Sequence, residues 1–280
     1  MKSCILKNAK DDNLNFLIKH NIETLNKILD YNLKHRLLLF RISSGFILFA
    51  SHSINEIPWA TKYKKELLSV GDKIKKYRIR VSMHPGQYTT LSSPNEEIVK
   101  RAIEDLKYQT QVLDSMGLDS SNKVILHIGG RYDDKRETMD RFIVEYEKLP
   151  QNIKNRLVIE NDDKIYTVED VLYISKKTGI PLIFDYFHHV LNHAGEDLNW
   201  ESALMKCRKT WGKKDGVQKV HYSQQAKDKR RGSHSLTISL PEFIEFYNSL
   251  PRPIDVMLEV KDKNISAIKC IYAVENKGTH

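Results

Sequence analysis

The sequence predicts an α/β protein, a single-domain (β/α)8 barrel occupying residues 1–280. Three observations lead there. Seven short apolar runs rich in β-branched residues alternate with segments of helical periodicity. Strands that are apolar throughout and separated by helices imply a parallel sheet covered on both faces, and seven or eight such units suggest closure. An open doubly wound sheet is the alternative, but no G-x-G-x-x-G or G-x-x-x-x-G-K-[ST] follows any run, so nothing supports a dinucleotide or P-loop site.

The elements can be justified in chain order. A helical segment carrying His20 and His35 precedes the first run, RLLLFRISS (36–44); RIRVSMH (78–84) is the second. In EEIVKRAIEDLKYQTQVLDSMG, Ile98, Ala102, Leu106 and Val112 fall near helical spacing, and Gly117 stands where a C-cap belongs. KVILHIG (123–129) and RLVIEN (156–161) follow. TVEDVLYISKKTG then reads as a helix with Thr167 as N-cap, Asp170 three residues on as capping-box partner, and Gly179 as terminator. PLIFDY (181–186), a helical pattern around WESALMKCRKTW, VQKVHYS (217–223) and IDVMLEV (254–260) complete the alternation, with no linker that would split the chain.

Composition narrows the class. Hydrophobic residues make up 40% and charged residues 29%, with 12 Gly, 8 Pro and no low-complexity tract, as in a folded globular protein. No apolar run reaches the roughly 18 residues of a membrane span, and MKSCILKNAKDDN lacks the basic-then-apolar pattern of a signal peptide, so an intracellular protein is expected. Cys4, Cys207 and Cys270 are scattered singly, without a CxxC pair, and are expected to be reduced. A net charge of +9 favours an anionic partner, nucleic acid first; charge is densest from Lys206 to Arg231, including KKDG and KDKRR. Lysines decorating solvated helix faces would give the same count.

The chemistry lies at the C-terminal ends of the runs, where barrel enzymes place their sites. One run ends in His84 and the next has His127 just before Gly129 and Gly130. Glu160, Asp185 with His188 three residues on, His221 and Glu259 end the four after it; His52 and His234 fall in loops after 36–44 and 217–223. A lone histidine at a strand end is more often a hydrogen-bonded structural residue than a ligand. Six such ends around one axis are another matter, because each uncompensated group would cost several kcal/mol in desolvation unless neutralised. Divalent metal does this most simply. The imidazoles and three carboxylates suit zinc, manganese or iron, and their number calls for two or three ions, with acids such as Glu160 as bridges. His20, His35, His189 and His280 are expected to be structural or on the surface, and His193 is left open. Clustered metals in a basic setting suit phosphodiester hydrolysis. VSMHPGQYTT (81–90) adds a rigid Pro85-Gly86 turn carrying Gln87 and Tyr88, which could reach outward.

HPGQY (84–88), HIGG (127–130), IEND (159–162), FDYFHH (184–189), KVHYS (219–223), GSH (232–234) and LEV (258–260), with FRISS and SH at 40–44 and 51–52, resemble the UV damage endonucleases. These are metal-dependent TIM barrels related in fold to endonuclease IV and the xylose isomerases. The resemblance runs from about residue 6 to residue 262. It implies ATP-independent nicking of double-stranded DNA 5′ to pyrimidine dimers or 6-4 photoproducts, often with activity at abasic sites. It carries His84, His127, Glu160, Asp185, His188, His221, His234 and Glu259 onto ligand positions for up to three ions, manganese first, with Zn2+, Co2+ or Mg2+ as alternatives. It sets His52 beside the scissile phosphate, makes Lys219 a carboxylated lysine acting with Glu160 and His221, and makes Gln87 and Tyr88 the pair inserted at the lesion. The family's opening strand has the form RLGYV; Met1 falls inside it, so the first strand is expected to be truncated. A monomer is expected, cytoplasmic and nucleoid-associated in a prokaryote, with no membrane contact. Three rival readings are an abasic-site endonuclease, a sugar isomerase on the same scaffold, and an inactive DNA-binding relative, which would lack ligands.

Overall fold

The computed structural model describes residues 1–132, 134–193 and 199–277. The chain divides into two compact units, Met1–Lys34 with Phe40–Leu157 and His35–Leu39 with Val158–His280.

In the first unit no strand precedes the 3-10 turn Leu6–Asn8 among the described residues. The segment is held by a side chain instead: Asn21 Oδ1 accepts from Lys2 N at 2.7 Å, and its Nδ2 donates to the Lys2 and Phe46 carbonyls, each at 3.1 Å. Helix α1 (Asp11–Lys34) buries Leu14, Leu17, Ile18, Ile22, Leu25 and Leu29 at helical spacing, and Asp11 and Asp12 oppose its dipole in the first turn. Then come β1 (Leu39–Ile42), α2 (Trp59–Lys62), α3 (Lys64–Lys76), β2 (Arg80–Met83), α4 (Glu96–Ser115), β3 (Lys123–Leu126), α5 (Lys135–Lys148) and α6 (Gln151–Arg156). Strands β2 and β3 are parallel, in the register Ser82↔Lys123 and Met83↔Val124. Asn95 caps α4 through the backbone N–H groups of Glu97 and Ile98.

The second unit holds β4 (Leu157–Glu160), α7 (Val168–Thr178), β5 (Leu182–Asp185), α8 (Tyr186–Leu191), α9 (Trp200–Arg208), β6 (Lys219–Tyr222), α10 (Leu240–Ser249), β7 (Asp255–Leu258) and α11 (Asn264–Lys277). The capping box of Thr167 and Asp170 forms as expected, and Gly179 ends α7 in the left-handed conformation at φ +72. Each strand from β4 to β7 is parallel to the next. Their register decides which side chains share a face: Glu160 is level with Ile183, Asp185 with His221, Lys219 with Asp255 and His221 with Met257. Side chains alternate with period two, so Glu160, Asp185, Lys219 and His221 project from one face of this sheet. On the other face Tyr222 packs on Phe246 at 4.4 Å between ring centroids, and Tyr186 packs on Phe246 at 4.7 Å.

The strands are shorter than the apolar runs. Only Leu39–Ile42 of 36–44 and Lys123–Leu126 of 123–129 enter the ladder. The flanking Ile79, Ile128 and Ile180 are buried in the turns, so apolar pattern marks burial beyond the hydrogen-bonded stretch. Among the described residues no helix is long and apolar enough to cross a membrane.

Candidate metal centre

In the second unit the ends of β4, β5 and β6 bring Glu160, Asp185 and His221 together, each at most 1% exposed. Their ligand atoms lie within 4.8 Å of one another. His221 Nδ1 is 2.6 Å from Glu160 Oε2, 3.3 Å from Glu259 Oε1 and 3.7 Å from Asp185 Oδ2. Burial is the main reason that the Asp185 carboxyl is raised above the usual range; Glu259 and Glu160 push it further, and His188 and His221 oppose. Burial also disfavours protonated His188, yet Asp185, Glu160, the Asn161 carbonyl and Glu259 outweigh it and carry this imidazole up to about 9. The acids of this cluster therefore draw in positive charge. A divalent cation fits the donor set, since buried carboxylate oxygens and imidazole nitrogens at this spacing suit manganese, iron or zinc.

Hydrogen bonds orient the histidines around the acids. Asp185 Oδ1 accepts from the His188 backbone N–H at 2.8 Å, fixing the first turn of α8, and His188 Nδ1 faces the Asn161 carbonyl at 2.9 Å. His234 Nδ1 lies 2.9 Å from both the Glu259 carbonyl and Ser223 Oγ. In both rings a carbonyl at Nδ1 leaves Nε2 as the nitrogen that could meet a metal ion. Asn161 exchanges two 3.0 Å bonds with the Asp185 backbone, which ties the end of β4 to the end of β5. Lys219 is fully buried two residues before His221 and on the same face. An ammonium at that depth carries a large desolvation cost, which negative neighbours or modification would offset.

The first unit gathers a second set. His84 and His127 lie with ring centroids 5.0 Å apart. After His84 the chain makes a turn closed by Thr89 N to Gly86 O at 2.9 Å, with Gln87 and Tyr88 at its exposed corners and Tyr88 at 78% exposure. The Tyr88 ring lies over Gly86 so closely that a Cβ there would meet Cε1 at 2.4 Å. Thr90 and Ser92 hydroxyls donate to the Ile128 carbonyl at 3.2 and 2.6 Å, fastening the turn to HIGG. Gly129 makes that contact possible, with φ +112 and space so tight that a Cβ would stand 2.1 Å from Thr90 Oγ1. His52 is exposed, with Nδ1 accepting from Ile54 N at 3.0 Å.

Of the histidines set aside, His189 is buried beside Phe184, His20 stacks on Phe16, and His280 lies outside the described residues. His193 neighbours His189 at 6.0 Å. Sequence reasoning missed Asp105, whose carboxylate accepts from Thr89 Oγ1 at 2.7 Å, from Gln109 Nε2 at 3.3 Å and from Ser51, so that it fastens the Gln87-Tyr88 turn and the residue before His52 to α4. It also missed the orienting roles of Asn161 and Ser223. IEND and KVHYS contain both residues, but only folding shows which carbonyls they reach.

The family model described as UV-endonuclease UvdE matches residues 3–276. The chain is 44% identical over 273 residues to the UV DNA damage endonuclease of Clostridium perfringens, covering 97% of this chain and 66% of that protein, just under two thirds of its length. Among solved structures, that of SacUVDE superposes with a TM-score of 0.93 at 42% identity, covering 100% of this chain and 94% of that one. Endonuclease IV from Thermus thermophilus shares the fold with a TM-score of 0.63 at 10% identity, over 90% of this chain and 94% of its own. The α/β TIM-barrel class expected from strand alternation is therefore correct.

Proposed function

The chain belongs to the UV-endonuclease UvdE family, and on that premise we propose that it hydrolyses the DNA backbone immediately 5′ to pyrimidine dimers and 6-4 photoproducts without ATP, leaving a 3′ hydroxyl. The observation that carries this reading is the Glu160, Asp185 and His221 group, three buried ligand side chains on one face of a parallel sheet.

Glu160, Asp185, His188, His221, His234 and Glu259 of the second unit, and His84 and His127 of the first, are the residues that would hold divalent ions, two or three in total, manganese first. Ions bound there supply Lewis-acid stabilisation of a phosphorane-like charge. The remaining work belongs to side chains. Glu160 holds or takes a proton at its carboxylate, and His221, 2.6 Å away, keeps that carboxylate oriented. Lys219 serves this face as a carbamate, its neutral amine having added carbon dioxide and released a proton, which would turn a buried positive charge into another acidic ligand. His52, exposed on its loop, holds a phosphate oxygen of the cut strand. Gln87 and Tyr88 enter the duplex where a photoproduct has already weakened stacking, and fill the space that the damaged bases leave. The partner is double-stranded DNA in the cytoplasm, beside the nucleoid in a prokaryote, and the enzyme acts as a monomer.

The test is nicking of supercoiled plasmid by manganese-loaded protein. Cutting of ultraviolet-irradiated plasmid with sparing of untreated plasmid is expected. Equal cutting of both, or of neither, overturns the reading, and cutting confined to depurinated plasmid makes the protein an abasic-site endonuclease.

A further inference from the structure

Between Gln225 and His234 the second unit carries a loop that the metal chemistry does not use. Gln225 and His234 form an antiparallel bridge at its base. Ala226 N donates to the Ser233 carbonyl at 2.7 Å, and Ser233 N to the Arg230 carbonyl at 3.1 Å. The loop's backbone is tied together by one side chain, that of the exposed Gln225. Gln225 Nε2 donates to the carbonyls of Ala226 (3.1 Å), Lys229 (3.4 Å) and Arg230 (3.0 Å), while its Oε1 accepts from Gly232 N at 2.8 Å. With those carbonyls turned inward, Lys227, Lys229 and Arg230 are exposed, and none of the three forms an ion pair among the described residues.

The loop is also fixed to the acid cluster's surroundings. Arg231 Nη2 donates to the Leu191 carbonyl at 2.7 Å, at the end of the helix that carries His188. Gly232 sits so close to Asp163 that a Cβ would stand 3.0 Å from Oδ2. Three cations thus stand on a preformed loop that leads straight into His234. A solvated lysine run has no need of an internal amide linking four backbone groups. Cations with no ion pair among the described residues, on a loop held next to His234, fit a polyanion with repeating phosphates whose cut bond lies nearby.

We propose that residues 225–234 are a preformed phosphate clamp, in which Lys227, Lys229 and Arg230 grip the backbone of the DNA strand and Gln225 is the positioning residue that holds the clamp in shape. This extends the endonuclease reading and rests on it only for the identity of the polyanion. The probe is an undamaged 30-base-pair duplex, titrated by fluorescence anisotropy across 50–200 mM salt. Each phosphate neutralised contributes about 0.9 to the slope of log K against log salt, so the variant with Lys227→Gln, Lys229→Gln and Arg230→Gln is expected to lose about 2 to 3 from the slope. Lys227→Arg with Lys229→Arg retains the charge and the slope. Gln225→Ala leaves the cations in place but loosens them, so affinity falls about five- to tenfold at unchanged slope. Bound manganese and melting temperature are read on every variant, and the charge variants at Lys227, Lys229 and Arg230 are expected to keep wild-type values, since those side chains are exposed and are not ligands.

A slope that does not move in the triple variant overturns the clamp, and wild-type affinity in Gln225→Ala overturns the positioning role. Nicking of irradiated plasmid, assayed on the same wild-type preparation, separates the two readings. Steep salt dependence without lesion-dependent nicking removes the endonuclease reading alone, whereas nicking with an unmoved slope removes the clamp alone.

Discussion

In the first unit Gln87 and Tyr88 stand in solvent on a turn closed by one 2.9 Å backbone bond, whereas in the second unit Glu160, Asp185 and His221 are almost wholly buried. The turn keeps its shape through close approach: the Tyr88 ring over Gly86, the Thr90 and Ser92 hydroxyls on the Ile128 carbonyl, and the space that Gly129 leaves open. The acid cluster has backbone hydrogen bonds too, but its dominant feature is charge that burial makes expensive. One region should therefore respond to atoms added and the other to charge removed.

Charge removal is the larger effect. Glu160→Gln keeps the shape and deletes one negative charge, and nicking of irradiated plasmid is expected to fall at least about 10³-fold. Stability should move the other way in metal-free protein, because one like charge beside Asp185 is gone, and the EDTA-treated variant should melt no lower than EDTA-treated wild type. Manganese at about a hundred times its Kd should stabilise wild type by about 2.7 kcal/mol and the variant by less. A variant that cuts normally, or that manganese stabilises as strongly as wild type, would show that Glu160 holds no ion.

Gly129→Ala tests the geometric half. The added Cβ must stand at φ +112 and displace Thr90 Oγ1 from 2.1 Å, which costs about 3 kcal/mol and lowers the melting temperature by roughly 6–12 °C. Manganese stoichiometry at the acid cluster of the second unit should be unchanged. Asp105→Ala acts on the same turn from below. It leaves Thr89, Gln109 and Ser51 without their shared acceptor, a loss of about 1–3 kcal/mol, and should blur the preference for irradiated plasmid before it slows cutting at saturating enzyme.

These residues also mark how far the sequence could be read. The ends of six apolar runs displayed their imidazoles and acids openly, because a strand's side-chain period is fixed and six such polar ends, unlike one, are costly to bury unless something neutralises them. Capping chemistry was as legible: Thr167, Asp170 and Gly179 act locally, within one helix. Asp105 was invisible since its partners lie 16 and 54 positions away for Thr89 and Ser51, and an aspartate on an amphipathic helix looks like any solvated acid until the loops arrive. Gln225 hid for a different reason: its partners are only one to seven positions on, but a glutamine in a lysine-rich stretch gives no sign of which backbone groups its amide meets. Gly129 could be read as a turn but not as a close approach, which needs the Thr90 side chain in place.

Tyr88→Ala is the smallest perturbation to the molecule and the sharpest for function. At 78% exposure the ring contributes little burial, so stability should stay within about 0.5 kcal/mol of wild type. Stacking on a base is worth about 1–3 kcal/mol, so the ratio of cutting on irradiated to untreated plasmid should fall roughly tenfold, with manganese content intact. The glycine beneath the ring gives an independent check. Gly86→Ala must push the phenol off its present position, where a Cβ would lie 2.4 Å from Cε1, without removing the aromatic. If the ring acts from its present position, Gly86→Ala should lose discrimination as Tyr88→Ala does. If it swings into the duplex only on binding, Gly86→Ala should discriminate like wild type while Tyr88→Ala does not, and the turn would then serve to store the probe.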